Sequence, residues 1–279
     1  MSFPVLFEVE SLENRRLLSG DFSPISIPFF GKTLLLPTFN GGPGGGPVVR
    51  QAPVNGDFSA SPDFTGWKTA GNDTVQAADF HSIPDAKITQ AVISNGQIPS
   101  GGTLPTTAAS LETFLNLNPG ALSAPGKVAV NGSAIKQNVT AKGGDVLTFK
   151  ADFLTNESAK GNADYAFVTV TLNGKTQLFK LSRALKVTNP LDGAGFISET
   201  GYGAYVILLP RNGQYTLGFG VVNVGDTTVA SDLLVDNVQL QPNFFDGFDG
   251  FGGHRDRGSD DGDRKDGGDS DVKRLFDNS

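Results

Sequence analysis

The chain has 279 residues and a formal net charge of −7, and it contains 36 glycines, 16 prolines and no cysteine. The lack of cysteine excludes disulfides, thiolate metal sites and cysteine nucleophiles. The acidic balance argues against nucleic acid as a partner, because phosphate binding needs a basic surface. The frequent glycine, valine, threonine and phenylalanine residues favour strands and turns over long helices.

The sequence of residues 1–52 predicts two segments that precede the folded body. Residues 1–20 begin with MSFPVLFEVE, whose apolar and then acidic order differs from that of an ordinary secretory signal. Residues 21–52 contain the run NGGPGGGP, which is typical of a flexible linker. The longest apolar stretch in this part is interrupted by Pro28, Lys32 and Pro37, so we predict no transmembrane segment.

Residues 53–241 form the predicted folded body, because apolar and polar residues alternate along several runs. The apolar faces of three runs are Leu147, Phe149, Ala151 and Phe153; Ala166, Val168, Val170 and Leu172; and Tyr215, Leu217, Phe219 and Val221. Turn signals at Asn173-Gly174 and Asn212-Gly213 predict hairpins, and residues 107–117 predict one helix. We therefore expect an all-β fold, a single antiparallel jelly-roll β-sandwich of about eight to ten strands.

Residues 242–279 predict a disordered acidic tail, because they are rich in aspartate and glycine and poor in apolar side chains. Asp261 and Asp263 match the start of an EF-hand calcium loop, but Asp266-Gly267 comes one residue late for that pattern. For this segment we expect only weak, nonspecific association with cations.

The segment FEVESLENRRLLSG, residues 7–20, carries a short and dense motif. It resembles the LEPR-xLL motif found at the N-terminus of many large bacterial surface and exported proteins, with Asn14 in place of the usual proline. The matching residues are Leu12, Glu13, Arg15, Leu17, Leu18 and Ser19. The resemblance implies a sorting element and an extracellular or cell-surface location in bacteria. The alternative is an amphipathic N-terminal helix that docks on the body.

The body carries a second resemblance. Residues 54–72 resemble the start of carbohydrate-binding-module-like jelly rolls, residues 231–240 resemble the last strand of the same modules, and residues 153–170 resemble a segment of secreted bacterial jelly rolls. The residues that match at the start are Asn55, Gly56, Phe58, Phe64, Gly66 and Trp67. In these modules a glutamate that helps to hold calcium often follows Asn-Gly-x-Phe, whereas this chain has Ser59 there. The resemblance implies fold and compartment more strongly than sugar binding.

Asp236 is the first candidate metal ligand. Strict alternation in LLVDNVQL puts Asp236 on the face of Leu234, Val238 and Leu240, which should point into the core. A carboxylate there is costly unless it is paired or bound to a cation. Because the similar modules bind calcium near their first and last strands, we name Asp236 as a structural calcium (Ca2+) ligand. The weaker companion candidates are Asp57, Glu157 and Asp164. In the alternative interpretation, Asp236 lies at a strand end and accepts hydrogen bonds from backbone N–H groups or from an arginine such as Arg183.

The candidate ligand-binding residues are aromatic. Trp67, Tyr202 and Tyr205 each offer a ring face that can stack on the apolar face of a sugar. Trp67 equally suits a core anchor, and the two tyrosines equally suit an ordinary turn. Polysaccharide or another component of the cell envelope is therefore the predicted partner.

Catalytic motifs are scarce. His81 and His254 are the only histidines, and the chain has neither a Gly-x-Ser-x-Gly elbow nor a His-Glu-x-x-His zinc motif. Glu199 and Asp192 could serve as the two carboxylates of a glycosidase, although acids in loops are usually just solvated. We therefore predict no enzyme activity.

Together, these patterns predict a non-enzymatic extracellular or cell-surface module that binds carbohydrate and is stabilised by calcium. Two alternatives stay open. One is an architectural envelope or matrix protein that self-associates through the Phe-Gly-Asp repeats of residues 244–251. The other is a glycan hydrolase built on a β-sandwich.

Overall fold

The strands of this chain form two sheets that pack face to face. The computed structural model describes residues 25–29, 32–39, 47–77, 89–96, 103–157, 164–183, 189–190 and 195–242. The expectations for the sorting-like segment, residues 1–20, and for the tail beyond residue 242 concern residues outside these ranges.

The described residues hold fifteen strands and one helix. The nine-stranded sheet contains β1 (Ile25–Phe29), β2 (Lys32–Leu36), β4 (Asn72–Ala77), β5 (Thr89–Ser94), β8 (Val146–Thr155), β11 (Asn189–Pro190), β12 (Ser198–Glu199), β13 (Gly203–Leu208) and β15 (Ser231–Gln241). The six-stranded sheet contains β3 (Lys68–Ala70), β6 (Thr106–Thr107), β7 (Ala129–Ala141), β9 (Tyr165–Leu172), β10 (Lys175–Arg183) and β14 (Gly213–Val224). The predicted helix is confirmed as α1 (Ala108–Phe114).

The strand order is β1-β2-β13-β8-β15-β5-β4 in the larger sheet and β10-β9-β14-β7-β3 in the smaller one. The described strands pair in antiparallel fashion except for β2 with β13, which are parallel. The all-β sandwich predicted from the sequence is confirmed, with more strands than expected.

The main core lies between the two sheets and contains the apolar faces predicted from the three alternating runs. Phe219 of β14 lies near its centre, with ring centroids 4.8 Å from Phe149 and 6.1 Å from Trp67. Because a strand has a period of two, one face of each run is directed inward along its whole length. The other face of each sheet, here called its outer face, points away from the opposite sheet.

Only one of the two predicted Asn-Gly hairpins is present. Asn173 and Gly174 join β9 to β10, with φ values of 51° and 75°, as a tight hairpin turn requires. Asn212-Gly213 instead connects β13 to β14, which lie in different sheets. The Asn212 side-chain oxygen accepts a hydrogen bond from the Gly143 N–H at 2.8 Å, which ties together the turns of two sheet-to-sheet crossings. The residues of a turn therefore do not determine whether the following strand pairs with the preceding strand or joins the opposite sheet.

The sandwich begins earlier in the chain than residue 53. β1 pairs with β2, and β2 continues the edge of the nine-stranded sheet beside β13. Leu35 and Phe39 are buried in the main core. The predicted linker, residues 21–52, therefore includes part of the fold, because the run KTLLL supplies β2, which pairs with β1 on one side and with β13 on the other. The glycine-rich residues 40–46 lie outside the described residues.

Candidate functional site

Helix α1 covers one half of the outer face of the six-stranded sheet. The hydroxyl of Thr107 caps it by accepting a hydrogen bond from the Ser110 N–H at 3.2 Å. Leu111 is fully buried and belongs to a second apolar cluster with Phe167 and Val222. A helix of seven residues is stabilised by such burial rather than by its own length. The helix leaves the other half of this face open.

The open half forms a groove of about 480 Å³. The residues that line it are Gln51, Val54, Gly66, Lys68, Lys136, Gln137, Asn138 and Thr216. A smaller cavity of about 50 Å³ shares Lys136 and Thr216 with the groove and extends to Thr169, Thr171 and Asn116. The two cavities are therefore neighbours, and their polar lining extends from the edge of the sheet to the C-terminal end of α1.

A row of polar side chains forms part of the groove and continues beyond it. The strand register sets Asn138, Thr216, Thr171 and Thr176 opposite one another on β7, β14, β9 and β10. The Thr216 hydroxyl donates to the Asn138 side-chain oxygen at 2.8 Å, and the hydroxyls of Thr171 and Thr176 are also 2.8 Å apart. We call these four residues the polar row.

Two lysines lie beside the polar row. Lys68 of β3 and Lys136 of β7 are directly opposite each other, and Lys68 is exposed. The Lys136 ammonium donates to the carbonyl oxygen of Phe114 at the end of α1 and lies 4.3 Å from the centre of the Phe114 ring. Burial lowers the pKa of Lys136, and the charge of Lys68 lowers it further. Neither lysine was predicted as a site residue from the sequence. Lys136 alternates with Ile135 and Gln137, so its face could have been inferred, but only the strand register shows that Lys68 lies opposite it.

Tyr202 and Tyr205 do not form one stacking platform, because they lie on opposite faces of the nine-stranded sheet. The Tyr205 ring stacks on Phe149, with centroids 5.0 Å apart and planes 7° apart, and packs against the main core. Tyr202 packs on the outer face against an apolar cluster that includes Leu154 and Leu234. Its buried hydroxyl has no hydrogen-bond partner among the described residues. Burial raises the pKa of Tyr202, and it raises that of Tyr205 to about 12.

Trp67 is 7 % exposed and belongs to the main core. Its ring centroid lies 5.3 Å from that of Phe58 and 6.1 Å from that of Phe219, and its Nε1–H donates to the Asn55 carbonyl oxygen at 3.1 Å. The indole thus anchors the first turn of the body on the core. The ring surface that was predicted to stack on a sugar is covered by other aromatic rings.

Asp236 is buried, but it does not face the main core. A β-bulge follows it, and Asn237 has a φ of 55°. Leu234 therefore packs in the small outer cluster, whereas Val238 packs in the main core. The shared inward face predicted from strict alternation is wrong, because the extra residue reverses the parity of the strand. The Asp236 carboxylate accepts a hydrogen bond from the Asn237 N–H at 2.6 Å.

A second buried carboxyl group, Asp152, lies on the same outer face. Asp152 is 2 % exposed and accepts a hydrogen bond from the Thr200 hydroxyl at 2.8 Å. Burial raises its pKa to about 7 against the effect of that hydrogen bond, and the charge of Glu199, which also bonds to it, adds to the rise. Asp152 alternates with the core residues Ala151 and Phe153, so it lies on the opposite face, and Phe196 and Tyr202 pack over that face.

The position of Glu199 differs from that expected for a hydrolase. Its carboxyl partner is Asp152, at hydrogen-bonding distance. The two carboxyl groups of a glycosidase must instead stand about 5 Å or more apart to admit the scissile bond. The other residue named for that role, Asp192, lies outside the described residues, as do His81 and His254.

Asp164 lies in a buried polar network beside the start of β15. Its carboxylate accepts hydrogen bonds from the Val224 N–H at 3.0 Å, the Asn95 amide at 2.9 Å and the Ser231 hydroxyl at 3.1 Å. Burial raises its pKa to about 6, and the three hydrogen bonds lower it. Glu157 is 4 % exposed; burial, and next the charge of Asp164, raise its pKa to about 7.

The four predicted calcium ligands do not converge on one point. The Asp57 carboxylate accepts a hydrogen bond within its own turn, where the carbonyl oxygen of Gly56 bonds to the Val238 N–H. Asp164 instead contacts Ser231, which lies seven residues from Val238 on β15, or about 23 Å along the strand. The residues named as ligands therefore do not fit a shared calcium site. No group of three or more metal-binding side chains is present within the described ranges.

Among the residues that the structure describes, no helix is both long enough and apolar enough to cross a membrane. The Phe-Gly-Asp repeats proposed for self-association, residues 244–251, lie outside them. The side chain of Arg183, the alternative partner of Asp236, is also outside the described set.

Comparisons with known proteins found similar structures only. No family model and no curated protein matches the chain. A structure of TmCBM61 in complex with β-1,4-galactotriose is 9 % identical, with a TM-score of 0.34, and the match covers 67 % of this chain and 95 % of that one. The non-crystalline cellulose specific carbohydrate-binding module CBM28 is 13 % identical, with a TM-score of 0.36 and coverages of 72 % and 97 %.

A third similar structure is the K1 cleaved adhesin domain of Lys-gingipain from Porphyromonas gingivalis W83. It is 14 % identical, with a TM-score of 0.39, and the match covers 70 % of this chain and 99 % of that one. With TM-scores no higher than 0.39 and identities no higher than 14 %, these three matches assign neither a family nor a ligand to this chain.

Proposed function

We propose that this protein is a non-enzymatic carbohydrate-binding module, and that the groove on the six-stranded sheet is its saccharide site. The observation that carries the proposal is the polar row, which crosses four strands beside the end of α1. The resemblance of residues 54–72 and 231–240 to carbohydrate-binding modules supports the same class.

The chemistry of the groove suits sugar hydroxyls. Threonine hydroxyls both donate and accept hydrogen bonds, the amide of Asn138 does the same, and the Lys136 ammonium donates. Neighbouring strands are about 4.8 Å apart, so a saccharide chain that lies across the strands meets one polar side chain per strand. Phe114, half-buried at the end of α1, supplies an apolar surface at the side of the groove.

The motif in residues 7–20 that resembles LEPR-xLL supports an exported or cell-surface location. Polysaccharides of the cell envelope or its surroundings are available there, and they are the partner class we propose. Calcium forms no part of this proposal.

The test is retention of the full chain in native gels that contain single soluble polysaccharides, with pull-down on insoluble ones. Thr216→Val removes a groove hydroxyl without changing side-chain shape, and Thr74→Val makes the same change on β4 of the other sheet. We expect retention by at least one polysaccharide, weakened several-fold in Thr216→Val and unchanged in Thr74→Val. A folded chain that no polysaccharide retains, or an equal loss in both variants, would overturn the proposal.

A further inference from the structure

Lys68 and Lys136 form a pair of like charges on neighbouring strands of the six-stranded sheet. Residues directly opposite each other in an antiparallel pair have Cβ atoms about 5 Å apart, and like charges at such positions destabilise the sheet. The burial that lowers the pKa of Lys136 adds to that cost. A retained cost of this kind calls for a compensating anion.

Among the described residues, none that lines the groove supplies that anion. Its eight lining residues include two lysines and no aspartate or glutamate. The hydrogen-bond acceptor of Lys136 is the neutral carbonyl oxygen of Phe114. The ion pair between Arg50 and Asp145 involves neither lysine. A local excess of positive charge therefore lies in an open groove of a chain whose net charge is −7.

We infer that the ligand of this groove is an anionic saccharide, one whose sugar rings carry carboxylate or sulfate groups. The inference rests on the proposed function and names the substrate class of the same site. The two ammonium groups bind the anionic substituent as paired point charges, while the polar row bonds the hydroxyls of the adjoining rings. A neutral saccharide in the groove would leave both lysines without a counter-charge.

Because the chain has a negative net charge, binding of a polyanion should be confined to the groove. At a net charge of −7 the protein as a whole repels a polyanion, so attraction comes from the groove and not from the average surface. Salt screens charges that are partly exposed, with a Debye length of about 8 Å at physiological ionic strength. Binding of the anionic ligand should therefore weaken steadily as salt is added.

The experiment uses the full chain and pairs of polymers that share a backbone but differ in charge. The pairs are polygalacturonate with its methyl ester, carboxymethylcellulose with hydroxyethylcellulose, and dextran sulfate with dextran. The first two pairs test carboxylates and the third tests sulfate esters. Affinities come from isothermal titration calorimetry or from mobility in native gels. We expect binding to at least one charged polymer, with its neutral partner bound about tenfold more weakly or not at all.

Three variants test the role of the lysine pair. Lys68→Gln should weaken binding of the charged polymer about tenfold, or about 1.4 kcal/mol. Lys68→Arg should retain most of the affinity. Lys32→Gln makes the same charge change at an exposed position on β2 of the other sheet and should leave affinity unchanged. Lys68 is preferred to Lys136 because Lys136 also bonds to the end of α1.

The possible failures are distinguishable. Equal or tighter binding of the neutral polymers would overturn the inference about charge and leave the carbohydrate-binding function standing. A loss in Lys32→Gln as large as that in Lys68→Gln would also overturn it, because only total charge would then matter. Retention by none of the polymers, charged or neutral, would overturn both the inference and the proposed function.

Discussion

On the outer faces of the two sheets, lysine and aspartate side chains differ in their exposure to solvent. On the six-stranded sheet, Lys68 and Lys136 line an open groove, and Lys68 extends to solvent. On the nine-stranded sheet, the outer face also holds short acids that are buried. Burial raises the pKa of Asp152 to about 7 and that of Asp232 to about 6, although a hydrogen bond from Ser94 lowers the latter.

The difference follows from side-chain length and cover. A lysine can lay its four-carbon stem along the sheet, so the Lys68 side chain reaches water and the Lys136 ammonium reaches the carbonyl oxygen of Phe114. An aspartate beneath Tyr202 and Phe196 cannot reach water, and it must find a partner or bind a proton. The lysines of the first face line an open groove, whereas the buried acids of the second face make stability depend on pH.

The largest expected effect on stability concerns a buried acid that forms an ion pair. Asp145, at the turn that joins β7 to β8, is fully buried, and its carboxylate accepts hydrogen bonds from the Arg50 guanidinium at 2.8–3.0 Å. Asp145→Asn should lower the free energy of unfolding by about 3 kcal/mol, because it leaves a partly buried guanidinium without its counter-charge.

Urea unfolding at pH 7 measures this change. The control, Asp63→Asn, alters an exposed aspartate and should shift stability by no more than about 0.5 kcal/mol. A loss below about 1 kcal/mol for Asp145→Asn would show that the buried ion pair adds little to stability.

The second substitution, Asp152→Asn, is expected to raise the free energy of unfolding. Between its ordinary pKa of 3.8 and its folded pKa of about 7, Asp152 binds a proton in the folded chain but not in the unfolded one. Its contribution to stability is therefore complete below about pH 4 and is lost as the pH rises through about 7. Asp152→Asn should raise the free energy of unfolding at pH 8 by about 1–3 kcal/mol, because the neutral amide avoids the buried charge.

The amide oxygen of the variant can still accept the Thr200 hydrogen bond. Urea unfolding at pH 5 and at pH 8 separates the two regimes, and the gain should be much smaller at pH 5. A gain of equal size at both pH values, or a loss at pH 8, would contradict the assignment of a protonated Asp152.

The smallest expected effect concerns calcium, the cation that would neutralise buried acids if it were bound. Asp164 already accepts three hydrogen bonds, and about 23 Å of strand separates its partner Ser231 from Val238 beside the Asp57 turn. We therefore expect EDTA to change the melting temperature by less than about 1 °C. A fall of several degrees that added calcium reverses would restore the calcium prediction, and Asp236→Ala would then test the ligand named first.

Local patterns were sufficient for much of the sandwich. The period of two in the runs around Phe149, Val168 and Phe219 identified core-facing side chains, because that period is a property of each strand by itself. The same holds for α1 and for the turn at Asn173-Gly174, which depend on residues a few positions apart.

Long-range pairing decided the site. The sequence by itself determined that Lys136, Asn138 and Thr216 alternate with core residues, but only the register of β3, β7 and β14 set Lys68 opposite Lys136 and Thr216 opposite Asn138. The same pairing placed a bulge after Asp236 and so moved Leu234 out of the core. Register and sheet assignment depend on contacts between distant segments, so they are properties of the tertiary structure and carry no signature within any one strand.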